Sequence, residues 1–263
     1  MDSKPKTEAE AESVRDVIAR MKLPVEFPAV TKICCTCGKE FDCRSWKTAA
    51  YQSECNACQV AEDERNREQE MFAAQKELND SWHELCPKAF ALTVRDLLPH
   101  PEKLDEVMRW EVESQKGLLL TGATGSGKSR CAWELLKREH FRSRRYQRGI
   151  RVMDSLSGIK YAERFHVSPS DVLEWVESLC QCDLLFMDDI FKVKLTDSFE
   201  NAIFTIIDQR INNLRPIIAT MNDVGATLAA RMSPDRGGPI VRRLREACQI
   251  VVFQGDDKKL STT

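Results

Sequence analysis

The chain has 263 residues, of which 42% are hydrophobic and 30% charged, and its formal net charge is −2. This composition is typical of a soluble globular protein and excludes a fibrous or wholly disordered chain, while the charge excludes a surface coated in basic residues. No run approaches the roughly 18 apolar residues of a membrane-spanning helix. The start of the chain is acidic and polar, unlike a signal peptide, so we expect a cytoplasmic protein.

The length predicts one domain of ordinary size plus a small appendage. Four parts are expected along the chain: a polar tail at 1–30, a cysteine module at 31–60, a helical linker at 61–86 and a core domain at 87–263. Pro24 and Pro28 break a weak helical pattern in the tail. The linker is rich in charge and free of glycine and proline, which predicts a solvated helix.

Four cysteines in the N-terminal region have the spacing of a zinc site. They form two Cys-x₂-Cys pairs separated by 17 residues, Cys34 with Cys37 and Cys55 with Cys58. In a chain whose thiols are expected to be reduced, this spacing predicts a closed, structural Zn²⁺ site. Whether the module binds protein or DNA is left open by the spacing. Cys35 and Cys43 leave the ligand assignment open, because either could replace a member of the set. The other cysteines are interpreted as small core residues: Cys86, Cys131, Cys180, Cys182 and Cys248.

From about Pro87 onward, apolar strands alternate with amphipathic helices, which predicts an α/β fold with a parallel sheet covered on both faces, in three layers. Five strands are predicted, at 117–121, 149–153, 183–187, 215–219 and 248–253. A helix is expected between the third and fourth strands, since its apolar residues form one stripe. Asp197 and Glu200 are expected to cap the start of this helix.

The segment GATGSGKS at 122–129 lies between the first predicted strand and an amphipathic segment, and it fits the P-loop pattern G-x-x-x-x-G-K-[ST]. Glycines let such a loop point its N–H groups at phosphate oxygens, and the following helix adds partial positive charge. Lys128 is expected to hold the β and γ phosphates, and Ser129 to bind Mg²⁺. The predicted nucleotide contacts are Gly122, Ala123, Thr124, Gly125, Ser126, Gly127, Lys128, Ser129, Arg130 and Asp188.

Two later strands end in polar side chains at the edge of the sheet where ligands bind. DLLFMDDI ends in Asp188, expected to bind Mg²⁺ through water, and Asp189, expected to orient or deprotonate the attacking water. RPIIATMND ends in Thr220 and Asn222, whose side chains can reach the γ-phosphate or the water. A solvated strand end and an ordinary turn are the alternatives.

A short basic helix is predicted before the last strand, in the segment RGGPIVRRLREACQIVVF. It carries Arg242, Arg243 and Arg245. An arginine at this place could reach the nucleotide of a neighbouring subunit and stabilise transition-state charge. The three residues could equally form a solvated face.

Together, GATGSGKS, DLLFMDDI, RPIIATMND and PIVRRLREA resemble, in order and spacing, the DnaC-like helicase loaders and their IstB-like relatives among the AAA+ ATPases. The resemblance covers about residues 85–255. It implies sheet order 5-1-4-3-2, a Walker A motif at the P-loop, a Walker B motif at Asp188 and Asp189, and a sensor at Asn222. It also implies a homo-oligomer in which Arg243 acts in trans as the arginine finger. No C-terminal lid is expected, since the chain ends about ten residues after the last strand.

In such loaders, a segment after the second strand contacts single-stranded DNA. Here it would include Lys160, Tyr161, Arg164 and Phe165, whose basic and aromatic side chains suit phosphate attraction and base stacking. An amphipathic surface helix is the alternative interpretation, and the basic segment 141–148 is a second candidate patch.

The resulting hypothesis is an ATP-dependent replication helper that hydrolyses ATP, binds single-stranded DNA and loads a replicative helicase. Turnover is expected to be slow, because most AAA+ proteins have glutamate where this chain has Asp189. One alternative is an IstB-like transposition regulator that binds duplex DNA and a transposase. Another is a nucleotide-gated, zinc-dependent interaction scaffold with little hydrolysis.

Overall fold

The structure, a computed structural model, describes residues 30–43, 51–114, 116–142, 149–192, 195–222 and 232–253. The expected polar tail lies outside these residues, except for Val30, and so does the basic segment apart from Phe141 and Arg142. The chain divides into two compact units, the first ending at Gln75 and the second beginning at Lys76. None of the described helices is long and apolar enough to cross a membrane.

The first unit contains a β-hairpin and the start of a long helix. Strand β1 (Val30–Ile33) pairs antiparallel with β2 (Glu40–Cys43), and the chain between them turns back so that the Cys34 N–H donates to the Lys39 carbonyl at 2.9 Å. Helix α1 (Asn56–Leu85) begins beside the second cysteine pair and continues through the predicted linker. Almost all of its side chains up to Gln75 are exposed, as expected of a solvated helix.

The second unit holds five parallel strands and six further helices among the described residues. In chain order they are α2 (Pro101–Met108), β3 (Gly117–Gly122), α3 (Lys128–Phe141), β4 (Ile150–Asp154), α4 (Ser155–Glu163), α5 (Pro169–Gln181), β5 (Leu184–Asp188), α6 (Asp197–Asn212), β6 (Ile217–Met221), α7 (Pro234–Ala247) and β7 (Cys248–Phe253). Short 3₁₀ turns lie at Lys88–Phe90, Arg95–Leu97, Val112–Ser114 and Arg164–His166. Every predicted strand is present with its ends within two residues of the prediction.

The sheet has the order β4-β5-β6-β3-β7 with all strands parallel. Numbered within the core, this order is 2-3-4-1-5, which is the predicted 5-1-4-3-2 seen from the other edge. Strand β3 therefore lies between β6 and β7, and β5 lies one strand further away. The segment that follows β3 thus lies at the carboxyl edge, close to the ends of β5 and β6.

Helices cover both faces of the sheet, so the predicted three-layer α/β class is confirmed. Alternate strand residues point to opposite faces: Leu118 packs with α2, α3 and the end of α1, whereas Leu119 packs with α4 to α7. Both residues are buried, which explains why the strands are continuous apolar runs. The five cysteines interpreted as core residues are all buried.

The predicted helix between the third and fourth core strands is α6, but the predicted cap is wrong. Its cap position is Thr196, and Asp197 is already the first helical residue. The buried side chain of Glu200 instead accepts hydrogen bonds from Ser233, from the N–H at 3.0 Å and from Oγ at 2.6 Å. Glu200 lies next to Phe199 on the buried side of α6, so it reaches the start of α7 and not its own helix end.

Candidate functional site

The P-loop folds as a tight connection between β3 and α3. Gly122, Gly125 and Gly127 have φ angles of 134°, 80° and 92°, in the region that disfavours side chains. At Gly122 a second constraint applies, since an added Cβ would lie 1.9 Å from the Phe253 carbonyl oxygen. Gly127 is the cap of α3, so the positive end of that helix faces the loop. The loop has the form that phosphate binding requires.

Lys128 places its ammonium group inside this loop. Its Nζ donates to the Gly122 carbonyl at 2.9 Å and to the Ala123 carbonyl at 2.6 Å, and the residue is 4% exposed. Burial lowers the pKa of Lys128, while the nearby charges of Asp189 and Asp188 act in the opposite direction. The group is therefore a buried cation at the point where the sequence predicts phosphate.

Asp188, at the end of β5, is hydrogen-bonded directly to the P-loop. One carboxylate oxygen of Asp188, Oδ1, accepts from Ser129 Oγ at 2.8 Å and from Thr220 Oγ1 at 2.7 Å. Burial raises the pKa of Asp188, and the two hydroxyl hydrogen bonds partly oppose that rise. A hydroxyl and a carboxylate oxygen side by side are hard donors of the kind Mg²⁺ prefers, so these two residues could hold that ion.

Thr220 occupies a different place from the one the sequence suggested. Its side chain is fully buried between the two acids, donating to Asp188 and accepting from the Asp189 N–H at 2.8 Å. The interpretation that Thr220 reaches the γ-phosphate is therefore wrong. The hydroxyl joins the end of β6 to both acids instead, because β6 lies between β3 and β5.

Asp189 is held in an uncommon backbone conformation, with φ at 49°. Thr220 binds its N–H, and Ser155 Oγ at the start of α4 donates to its carbonyl oxygen. The carboxylate faces Lys192, whose Nζ lies 3.2 Å from Oδ2. The main chain of Asp189 is thus fixed by two other segments of the core.

A cleft of about 550 Å³ opens beside the P-loop, and we call it the nucleotide cleft. Its polar lining includes Lys128, Ser129, Asp189 and Asn222, so the predicted sensor lies near the predicted catalytic groups. Thr124, Gly125, Gly127 and Arg130 from the predicted nucleotide contacts also line it.

The nucleotide cleft also has an apolar wall that sequence reasoning missed. It is formed by Phe90, Leu92, Val94, Leu97, Leu98 and Pro99. Leu92 and Leu97 are 82% and 80% exposed, although each is a large apolar side chain. An apolar surface next to a polar phosphate site suits a nucleobase. The signal that could have found it was the run of apolar residues at 90–99, which precedes α2 in the sequence.

Arg243, the predicted arginine finger, lies at the other edge of the sheet. It donates to Asp208 and its guanidinium carbon is 5.2 Å from the centre of the Phe204 ring. It lines a separate pocket together with Gly117 and Cys248, the first residues of β3 and β7. Arg243 is therefore remote from the nucleotide cleft of its own chain.

The predicted DNA contacts lie on the exposed part of α4 and the turn after it, here called the α4 surface. Tyr161 stacks on Trp175 with ring centres 5.1 Å apart and an interplanar angle of 8°. The Arg164 guanidinium carbon lies 5.8 Å from the centre of the Tyr161 ring. Lys160, Tyr161, Arg164 and Phe165 are all exposed, so this surface combines aromatic side chains with positive charge.

The four cysteines of the predicted zinc site come together in the first unit. The sulfur atoms of Cys34, Cys37, Cys55 and Cys58 all lie within 4.8 Å of one another, and those of Cys37 and Cys55 are 3.7 Å apart. A zinc tetrahedron with Zn–S bonds of about 2.3 Å has sulfur–sulfur edges of about 3.8 Å, so the cluster fits that ion. We call these residues the cysteine cluster.

Local hydrogen bonds prepare the cysteine cluster for a cation. The Gly38 N–H donates to the Cys34 carbonyl at 2.9 Å, with Gly38 at a φ of 70°, and the Cys55 N–H lies 3.3 Å from Cys34 Sγ. Backbone N–H groups of Cys37 and Cys55 lower the pKa of the Cys34 thiol to about 6. The neighbouring thiols of Cys37 and Cys55 raise the pKa of Cys58, as expected when thiolates crowd together.

Cys35 and Cys43, the two rival ligands, lie outside the cysteine cluster. The Cys35 N–H donates to the Ser53 carbonyl at 3.0 Å, and its exposed thiol faces Glu54. The buried Cys43 thiol lies 3.7 Å from Gln52 Oε1. Among the described residues, the predicted tetrad is the group placed to hold a metal.

No protein-family model matches the chain, and no curated protein matches its sequence. Among solved structures it is similar to a DnaC helicase loader, with 22% identity over 64% of this chain and 99% of that one and a TM-score of 0.48. It is similar to DnaI, with 17% identity over 64% and 94% of the two chains and a TM-score of 0.49. It also resembles AMPPCP-bound DnaA from Aquifex aeolicus, of which it spans 46%, with 16% identity over 60% of this chain and a TM-score of 0.46.

Proposed function

We propose that this chain is a cytoplasmic AAA+ ATPase that binds ATP with Mg²⁺ and hydrolyses it to ADP and phosphate. One observation carries the proposal. Asp188 accepts hydrogen bonds from both Ser129 of the P-loop and Thr220. Thr220 also accepts a hydrogen bond from the N–H of Asp189, which lines the nucleotide cleft. A glycine-rich turn formed by chance would not join its serine to a buried acid from a strand 59 residues away.

The proposed reaction assigns one task to each group. Lys128 and the loop N–H groups hold the β and γ phosphates, and the apolar wall receives the base. Asp189 orients water whose oxygen bonds to the γ-phosphorus while the bond to the bridging oxygen breaks. The water proton passes to the Asp189 carboxylate and then to solvent, leaving ADP and phosphate. Ser129 and Asp188 would hold Mg²⁺, which neutralises phosphate charge when bound.

The proposed partners are single-stranded DNA and a replicative helicase. The α4 surface supports the DNA contact, because the partly exposed side chain of Tyr161 lies beside the guanidinium of Arg164 and could meet a base while the arginine meets a phosphate. The helicase is proposed from the motif resemblance alone. The cysteine cluster, with a structural Zn²⁺, is the proposed recruiting module.

The proposed assembly is a homo-oligomer with Arg243 acting on a neighbour's nucleotide. Arg243 lines a pocket separate from the nucleotide cleft of its own chain, which supports a role in trans. An arginine finger of this kind acts on nucleotide bound by a neighbouring subunit. The ion pair with Asp208 would have to open for Arg243 to serve in this way.

Replacing Lys128 with alanine is expected to weaken ATP binding by about a hundredfold, since it removes charge-assisted hydrogen bonds to two phosphates. Binding of a fluorescent ATP analogue in the presence of Mg²⁺ measures the effect. Lys137→Ala, in the same helix, is the matched control and should bind like the parent. Equal affinity in the Lys128 variant and the parent would mean that the loop does not hold nucleotide.

Asp189→Asn is expected to leave ATP binding intact and to lower the rate of phosphate release by about a hundredfold, the usual scale for losing a general base. Asp171→Asn, an exposed change in the first turn of α5, serves as the control. Should the parent bind ATP but release no phosphate even with DNA present, the nucleotide-gated scaffold would be the better description.

A further inference from the structure

A separate pocket of about 400 Å³ lies at the amino edge of the core sheet, and we call it the amino-edge pocket. Its lining includes Gly117, Ile217 and Cys248, the residues with which β3, β6 and β7 begin. The nucleotide cleft opens at the carboxyl edge instead, where Asp189 and Asn222 follow β5 and β6. Because the strands are parallel, these two edges are opposite ends of the sheet. A ligand in the amino-edge pocket would therefore be additional to the nucleotide.

The lining of the amino-edge pocket combines positive charge with apolar surface. Four of the lining residues are basic and one is acidic: Lys116, Arg210, Arg215, Arg243 and Glu246. The apolar part includes Ile211, Leu214, Ile217 and Ala247. Small-molecule sites are typically apolar pockets of about 300–1,000 Å³ with a few placed polar groups. The volume and the lining therefore suit a ligand with an apolar body and a negative group.

Arg210 is fully buried, and its positive charge is hydrogen-bonded to no carboxylate among the described residues. Its Nη1 donates to the carbonyls of Leu179 and Cys182 at 2.7 and 2.8 Å, and its Nη2 donates to the Pro216 carbonyl at 2.7 Å. Nε has no hydrogen-bond partner among those residues. Burial lowers the pKa of Arg210, as expected for a desolvated cation. Because buried charges are ordinarily paired, this guanidinium favours an anion in the pocket that it lines.

Leu214 is a second unusual residue in the lining of the amino-edge pocket. Its N–H and that of Arg215 donate back to the carbonyls of Ile211 and Arg210, at 3.1 and 2.8 Å, which closes the end of α6. Its φ is 52°, and glycine is the usual residue at such a position. The leucine is also 62% exposed, so it combines backbone strain with apolar surface in water. A bound apolar group would cover that surface.

We propose that the amino-edge pocket binds a small amphiphilic anion, a molecule with an aliphatic or aromatic body and one phosphate or carboxylate group. The body would lie against Ile211, Leu214 and Ala247, and the anionic group would bind Arg243. Arg243 is now paired with Asp208, and the two side chains are 36% and 30% exposed. Water reaches this ion pair, so a ligand anion can compete with Asp208 for the arginine. The proposal does not depend on the proposed ATPase function.

The test measures binding of phenyl phosphate, phenylacetate and inorganic phosphate to the whole chain by ligand-observed NMR at low salt, without ATP. Because a phosphate could also enter the P-loop, each titration is repeated with Lys128→Ala. Arg243→Gln removes the proposed anion contact. Arg142→Gln is its matched control, since Arg142 forms a similar, partly exposed ion pair with Glu111. Denaturant unfolding of each variant confirms that it is folded.

Both aromatic probes should bind, and Lys128→Ala should retain that binding. Arg243→Gln should weaken it at least tenfold, the scale for losing a charge-assisted hydrogen bond, whereas Arg142→Gln should bind like the parent. Inorganic phosphate should bind at least tenfold more weakly than phenyl phosphate, because it has no apolar body to bury. The tighter of the two aromatic probes identifies the anionic group that the pocket prefers.

Two substitutions of Leu214 separate ligand binding from stability. Leu214→Gly and Leu214→Ala both remove the apolar side chain, so each should weaken binding of phenyl phosphate about fivefold. Only glycine relieves the positive φ, so Leu214→Gly alone should unfold at a higher denaturant concentration than the parent. A less stable Leu214→Gly would show that the leucine serves internal packing, which would remove its role in the pocket.

The site is overturned if neither aromatic probe binds to Lys128→Ala, or if Arg142→Gln weakens binding as much as Arg243→Gln does. Equal binding of inorganic phosphate and phenyl phosphate would contradict the apolar part of the site. A parent chain that binds the probes but no ATP would contradict the proposed function alone. The two conclusions can therefore fail separately.

Discussion

Cys37→Ser is expected to abolish metal binding by the N-terminal module and to unfold its hairpin. Among the described residues of 30–43 and 51–60, Cys34 and Cys43 are the buried side chains, so the module has almost no apolar core. The metal must then supply its folding free energy, which for structural zinc in small peptides is about 10–16 kcal/mol at pH 7. Metal content per chain and protease resistance of the module measure the loss.

The neighbouring cysteines provide the controls for this experiment. Cys35→Ser and Cys43→Ser change thiols outside the cysteine cluster, and both variants should keep one metal ion per chain. Retention of the ion by Cys37→Ser, or its loss from Cys35→Ser, would show that the ligand set is wrong. A chelator should reproduce the effect of Cys37→Ser in the parent.

Gly122→Ala is expected to destabilise the second unit by about 4 kcal/mol or more, on the scale of the most damaging point mutations. Its Cβ would overlap the Phe253 carbonyl at 1.9 Å, and the overlap involves backbone that cannot rotate away. Either the P-loop or the end of β7 must move, so ATP binding should be lost as well. Denaturant unfolding measures the loss of stability.

Gly125→Ala is the matched control for this substitution. Gly125 also has a positive φ, but no atom lies within 4 Å of an added Cβ there. Its cost should be limited to backbone strain, about 1–2 kcal/mol. Similar losses of stability in the two variants would mean that the contact between Gly122 and Phe253 is not what makes the glycine necessary.

The strands and the P-loop could be predicted from the sequence because local patterns determine them. Strands such as β5, buried on both faces, must be apolar throughout, which the run from Leu184 to Met187 displays. The spacing of Cys34, Cys37, Cys55 and Cys58 likewise reflects local turns, each presenting two thiolates. Sheet order came only from the resemblance, since no local pattern reports which strands are neighbours.

Features that depend on contacts between distant segments could not be predicted. The sequence predicts that Thr220 lines the cleft, because it follows a buried strand. Its burial is explained by the position of β6 between β3 and β5. Glu200 matches a capping pattern, but its carboxylate accepts from Ser233, the residue that precedes α7. Cys35 lies outside the cysteine cluster, and its N–H is bound to the carbonyl of Ser53, 18 residues away in sequence. In each case a remote partner overrides a local preference.

The hydrogen bonds at Asp188 also determine at which stage of folding the chain could first bind ATP. Ser129 and Thr220 are 59 and 32 residues from Asp188, so these bonds form only after β3, β5 and β6 have paired. The site is therefore incomplete in a nascent or partly unfolded chain, and ATP would bind the native state alone. Cellular ATP would then act as a folding ligand that shifts newly made chains toward the native state and away from proteases.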